Sequence, residues 1–142
     1  MKYNILVLAF FIIFQPIFGG KILALKNSPG EKVILIQKEQ NGKEITAKAG
    51  EIIQIELSEL GSAGYSWQID YLESQYLEPI SEDTKRGLEK GKVGVPVLHV
   101  WRFKAVKPGQ TEIKMNYYRK WEGVGKSTDH FNIKFKIIKD GR

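Results

Sequence analysis

The 142-residue chain contains no cysteine. No disulfide can staple it, and chemistry that needs a thiolate, whether nucleophilic catalysis or a metal site, is excluded. Histidine is nearly as scarce, with His99 and His130 the only two, and both fall inside predicted strands. A hydrolytic triad would need one of them beside an exposed serine and a carboxylate, and neither a nucleophile-elbow sequence nor a metal-ligand spacing is present. Each reads as a sheet-surface residue instead. No enzyme is expected, and no metal or organic cofactor. Repeats, low-complexity tracts, interdomain linkers and any sustained helical period are also missing.

What remains is a chain with 42% hydrophobic residues, enough for one domain with a core of its own and short for two. The first twenty residues, MKYNILVLAFFIIFQPIFGG, place Lys2 ahead of the apolar run Ile5 to Ile13, then Pro16 and the small pair Gly19-Gly20. This is the layout of a secretory signal peptide, with an apolar stretch too short to span a bilayer as a mature helix. Cleavage is expected after Gly19 or Gly20, leaving residues 21–142 as a single exported domain, secreted or periplasmic, with no stable membrane insertion. An uncleaved N-terminal anchor is the other reading, because no strong A-x-A site precedes Lys21. Removing the leader takes away one charge, Lys2, and leaves 21 basic against 16 acidic residues, a net charge of +5. The two signs are interspersed rather than gathered in a stripe, so no nucleic-acid partner is expected.

Hydrophobic alternation organises the chain. The run KVILIQKEQNGKEITAK reads as a strand, an Asn41-Gly42 turn and a second short strand forming a hairpin. Ile53, Ile55 and Leu57 then share one face of a strand, and so do Tyr65, Trp67 and Ile69 of the next. The polar stretch from Tyr71 to Pro96 yields only a short strand near Tyr76 to Ile80. Order returns with VLHVWRFKA, followed by a Lys107-Pro108-Gly109 turn, the alternation Thr111, Ile113, Met115, Tyr117, and a last strand with Phe131, Ile133, Phe135 and Ile137 in phase. Short strands between turn signals indicate an all-β fold, an antiparallel β-sandwich of about seven strands. Trp67 and Trp101, in phase with inward residues, are expected in the core.

If every connection reverses the chain, three loops must leave the sandwich at one end: Ser58 to Gly64, a span around Gly87 to Pro96, and Arg119 to Thr128. All three carry glycines, whereas the Lys-Pro-Gly turn at the other end is ordinary. Three such loops held together on a rigid frame form a recognition surface of the kind seen in paratopes.

The residues of these loops resemble a known family. GSAGYSW before the strand at Trp67, GKVGVP before the strand at Trp101 with its HVWRFKAVKPGQTEI continuation, and YYRKWE after the strand at Tyr117 match, in order and spacing, the chagasin-like inhibitors of papain-family cysteine proteases. The similarity spans roughly Ile45 to the C-terminus. It implies an immunoglobulin-like sandwich whose three loops enter the protease cleft. The family's first loop, N-P-T-T-G-Y/F-x-W, aligns with Leu60, Gly61, Ser62, Ala63, Gly64, Tyr65, Ser66 and Trp67, so that Leu60 and Gly61 stand where the family has Asn-Pro. Losing that proline should leave the loop less rigid before binding. The second loop, of G-x-G-G or G-x-P-G type, is matched loosely by Gly91, Val93, Gly94, Val95 and Pro96. The third, R-P-W, is matched by Arg119 and Trp121 with Lys120 in place of the proline.

The resemblance thus implies a reversible, competitive inhibitor, expected to act as a monomer, with a papain-family cysteine protease as partner. Small side chains from Gly61 to Gly64 would let backbone approach a catalytic cysteine closely. Trp121 would be a rigid aromatic anchor, with a core-edge role as the alternative, and Arg119 would either order its loop or touch the enzyme rim. The competing reading is a secreted carbohydrate- or surface-binding module, with Tyr117, Tyr118 and Trp121 as its stacking platform.

Overall fold

The computed structural model describes residues 30–60, 63–86 and 95–141. Among them eight strands form two four-stranded sheets: β1 (Val33–Ile36), β2 (Glu44–Lys48), β3 (Ile52–Glu59), β4 (Ser66–Leu72), β5 (Leu77–Arg86), β6 (Val97–Ala105), β7 (Gly109–Tyr118) and β8 (Asp129–Ile138). One sheet has the order β1-β3-β6-β5 and the other β2-β8-β7-β4. The long pairings are antiparallel, while the short strands β1 and β2 add in parallel to β3 and β8. The all-β sandwich stands, with one strand more than the alternation suggested. Nothing is described of residues 1–20, so the leader lies outside the described residues; no described helix is long and apolar enough to cross a membrane.

The core follows the alternation. Ile53, Ile55 and Leu57 of β3, Trp101 and Phe103 of β6, Ile113 and Met115 of β7, and Phe131, Ile133 and Phe135 of β8 meet between the sheets. Trp67 and Trp101 are buried there, as expected. Each large side chain removed from water in this way stabilises the sandwich by roughly 1.5–3 kcal/mol, which lets the fold stand without disulfides.

The Asn41-Gly42 hairpin does not form. β1 and β2 belong to different sheets, and the chain between them crosses from one to the other through a 3-10 turn at Lys38–Gln40. Asn41 serves the far sheet: its side chain accepts the Asn132 N–H at 2.8 Å and donates to the His130 carbonyl at 3.3 Å. The crossing lets Ile36 and Ala47 enter the core from opposite sheets, both almost fully buried. A hairpin would keep its two strands in one sheet.

The strand expected near Tyr76 to Ile80 extends to Arg86. Its register with β6 shifts between Pro79 and Ser81, and the bulge puts Ile80 outside the alternation, 49% exposed. Pro79 has no N–H to donate and is tolerated because β5 is an edge strand.

The parity of the connections holds. Val97 opposes both Glu59 and Arg86, so the exits of β3 and β5 and the entry of β6 lie at one end of that sheet. In the other sheet Ser66 opposes Tyr118 and Tyr117 opposes Asp129, which puts the β3–β4 and β7–β8 connections at corresponding strand ends. The opposite end is tied by short backbone bonds, Gly50 N–H to the Ala105 carbonyl at 2.7 Å and Val106 N–H to the Tyr76 carbonyl at 2.9 Å.

Candidate functional site

The site is built where β3 passes into β4 and β7 into β8. Alternation along β7 brings Tyr117 to the inward face at the strand's end, where its ring lies 5.0 Å from Trp67 and 5.5 Å from Tyr65. Its hydroxyl accepts the Leu60 N–H at 2.9 Å. The neck of the β3–β4 loop is closed twice more: Trp67 N–H donates to Glu59 Oε2 at 3.1 Å, and Trp67 Nε1–H donates to the Ser58 carbonyl at 3.1 Å. These bonds close the neck of a loop that has Gly61 where the resembled pattern has proline.

Beyond the neck the two loops fasten to each other. Arg119 Nε donates to the Ala63 carbonyl at 2.9 Å, its Nη1 reaches Glu122 Oε1 at 3.2 Å, and the guanidinium lies 4.5 Å above Tyr65 and 6.0 Å from the Trp121 ring centre. Arg119 therefore orders the loops. Trp121 is 72% exposed and rests on Gly64. A Cβ added at Gly64 would stand 2.2 Å from the ring's edge, and the backbone there has φ +77°. The glycine is thus required twice, once for a left-handed turn and once for the space the indole fills.

Ala63 is exposed, Leu60 is 46% exposed and Tyr65 is half-buried between its aromatic and cationic neighbours. Leu60, Ala63, Gly64, Tyr65, Arg119 and Trp121 are thereby brought into one cluster. Val95, half-buried, and Pro96, exposed, sit just ahead of β6. Gly61, Ser62, Gly91, Val93 and Gly94 lie outside the described residues, as does most of the β5–β6 loop.

One expectation is corrected beneath this surface. His99 is not on the sheet surface but buried, 8% exposed, on the inward face of β6. Its Nδ1 lies 3.2 Å from Glu59 Oε2 and its Nε2 2.7 Å from Glu82 Oε1. The sequence signal was present: Glu59 continues the inward phase of Ile53, Ile55 and Leu57, and His99 that of Trp101 and Phe103, so two polar side chains were due to meet in the interior. His130 is exposed, with Nδ1 against Asn116 Oδ1. On the same face desolvation, and then the Asp70 carboxylate, hold the Tyr118 phenol above its ordinary pKa.

The arrangement offers one exposed indole and, among the described residues, no acid, base or nucleophile in reacting order. Among the described residues no group of His, Asp and Glu could hold a metal ion.

Comparison with known proteins bears on the family and the fold. The model of the chagasin family peptidase inhibitor I42 matches residues 46–135. Amoebiasin-2 of Entamoeba histolytica is 33% identical over 91 residues, which is 63% of this chain and 72% of that protein. The crystal structure of the cysteine protease inhibitor EhICP2 from Entamoeba histolytica superposes with a TM-score of 0.69 at 23% identity, covering 78% of this chain and 100% of that one. The solution structure of amebosin gives 0.57 at 21% identity, over 77% of this chain and 100% of that one. At these identities the two structures speak for the fold alone.

Proposed function

The chain belongs to the chagasin family of peptidase inhibitors, and from that premise we propose that it inhibits papain-family cysteine proteases reversibly and competitively, by seating its loop end in the active-site cleft. The observation that carries this reading is the joined tip, in which the Ala63 carbonyl is bound by Arg119 and Trp121 stands exposed on Gly64.

A papain-like cleft is a narrow groove with a thiolate beside an imidazolium. An inhibitor that fills it without being cut must present no peptide carbonyl in the line of attack. Ala63 meets that condition, because its carbonyl points toward the Arg119 guanidinium of the neighbouring loop. The small side chains of Ala63 and Gly64 keep the tip slender, and Trp121 supplies rigid apolar area beside it at little entropic cost. Leu60, Gly61, Ser62 and Tyr65 extend the first contact, Gly91, Val93, Gly94, Val95 and Pro96 supply a second from the β5–β6 loop, and Arg119 holds the first and third together.

Titration into papain and a cathepsin L-type enzyme tests this. Activity should fall in proportion to added inhibitor and reach zero at one equivalent, and the apparent inhibition constant should rise with substrate concentration, as competition for the cleft requires. Full activity at excess inhibitor would refute the reading.

The carbohydrate platform loses support, because Tyr117 is half-buried, with Tyr65 and Trp67 packed against its ring. Export through residues 1–20 is part of the proposal and would place the inhibitor where extracellular or periplasmic proteases act. N-terminal sequencing of the exported protein should begin at Gly20 or Lys21, and a start at Met1 would contradict it.

A further inference from the structure

The necks of two loops meet at His99. Glu59 is the last residue of β3 and Trp67 the second of β4, so the bond from Trp67 N–H to Glu59 Oε2 closes the 60–65 loop. The same oxygen lies 3.2 Å from His99 Nδ1. On the other side of the ring, Glu82 Oε1 lies 2.7 Å from Nε2, and Glu82 belongs to β5, the strand that runs into the second loop. Below, the imidazole stacks on Trp101 at 3.9 Å between centroids and 17° between planes. Among the described residues the charged groups paired with His99 are Glu59 from β3 and Glu82 from β5; β4 contributes only the Trp67 N–H, through Glu59.

An imidazole that faces a carboxylate oxygen with each nitrogen meets both only as a double donor, the imidazolium form. A neutral ring turns a lone pair toward one carboxylate and loses that arm. The two arms differ in what replaces them. The Glu82 side chain is 62% exposed and water can take over its bond, whereas the Glu59 side chain is 9% exposed and held in the interior. The neutral ring therefore keeps its proton on Nδ1 toward Glu59 and gives up Glu82, which unties β5 from the neck and leaves the Glu59 carboxylate, and with it the Trp67 bond, without the positive charge that steadied both.

The geometry points to His99 as a positioning residue for inhibition: as an imidazolium it braces the neck of the 60–65 loop against the strand leading to the second loop, so the inhibitor holds its protease more tightly in acid than in alkaline solution. This rests on the inhibitory reading above. The brace is complete while both ring nitrogens carry protons and is lost once one of them leaves.

The test compares wild type and His99→Asn against papain at about pH 5.5 and about pH 8, on either side of the ordinary histidine range. The ratio of their inhibition constants at one pH cancels the enzyme's own pH dependence. It should be about tenfold in acid, the scale of one charge-assisted hydrogen bond, and fall to within about twofold in alkali. Glu59→Gln can accept from Trp67 and donate to a neutral ring, so its inhibition should vary less with pH than that of wild type. A His99→Asn ratio that is the same at both pH values, or is one at both, overturns the proposal.

If His99→Asn does not fold, nitrogen-15 NMR of the wild type decides. Both His99 ring nitrogens should carry protons in acid, and the Trp67 amide should lose exchange protection as one proton leaves. A ring that is neutral at about pH 5.5, or a Trp67 protection factor that does not follow it, overturns the brace. A wild type that leaves papain active would count against the inhibitory function, not against the brace, which the NMR experiment reads with no protease present.

Discussion

At the scale of the residue, stability and recognition separate cleanly at the tip. Trp121 is 72% exposed, so truncating it removes little buried apolar surface from the folded state. Trp121→Ala should change stability by less than about 0.5 kcal/mol while weakening inhibition by about 1–3 kcal/mol, read as thermal melting beside the inhibition constant. Equal losses in both would make Trp121 a structural residue. Ala63→Trp isolates the neighbouring position, because the exposed site can hold the larger side chain and a narrow cleft cannot. Melting should stay within about 2 °C of wild type and inhibition should vanish; inhibition at full strength would remove this loop from the mechanism.

Sequence made these residues legible because loop chemistry is local: a glycine flanked by small residues and an aromatic past the end of an alternating strand stand out without a partner. The role of Gly64 was not legible. Its smallness matters to Trp121, which lies 57 positions further along the chain, and no local pattern announces a contact of that span. The burial of His99 is hidden for a related reason: it follows only when the inward phase of β6 is laid against that of β3.

At the scale of the element, the neck of the β3–β4 loop takes over from the missing proline. Tyr117→Phe removes the acceptor of the Leu60 N–H while keeping both ring stacks. It should cost about 1 kcal/mol of stability, the usual worth of one such bond, and slow association with the protease through a wider loop ensemble. Unchanged association kinetics would show that the other neck bonds suffice. β3, β4, β7 and β8 could be read from a period of two because each has one face in the core. β5 was legible only as far as Ile80, since its bulge there breaks the period and its outer edge is open. The Asn41-Gly42 turn misled because a tight-turn dipeptide fixes where the chain bends and not which sheet receives the next strand. Here parallel pairing with β3 and β8 decided.

At the scale of the whole molecule, the proposed function assigns recognition to the loop end, while the opposite end fastens the frame. Glu51 shows the second role. Burial alone would raise its carboxyl, but the Lys48 N–H, the Lys32 ammonium 3.0 Å away and the Lys48 charge outweigh burial and hold its pKa below the ordinary value. A depressed carboxyl stabilises the fold above the ordinary carboxylate range, and that contribution is lost as pH falls through the folded-state value. Glu51→Gln should therefore cost roughly 1 kcal/mol near neutral pH, with the difference from wild type shrinking in acid. A difference independent of pH would assign the loss to packing.

On the proposed reading the frame carries the tip into the groove, and the enzyme's own thiol reports on that most directly. Papain mixed with one equivalent of inhibitor and challenged with an active-site-directed alkylating agent should keep its catalytic cysteine unmodified, with Ala63→Trp giving no protection and the inhibitor recovered uncut by mass spectrometry. A cysteine alkylated as fast as in the free enzyme, while activity is lost, would place the inhibitor somewhere other than the cleft.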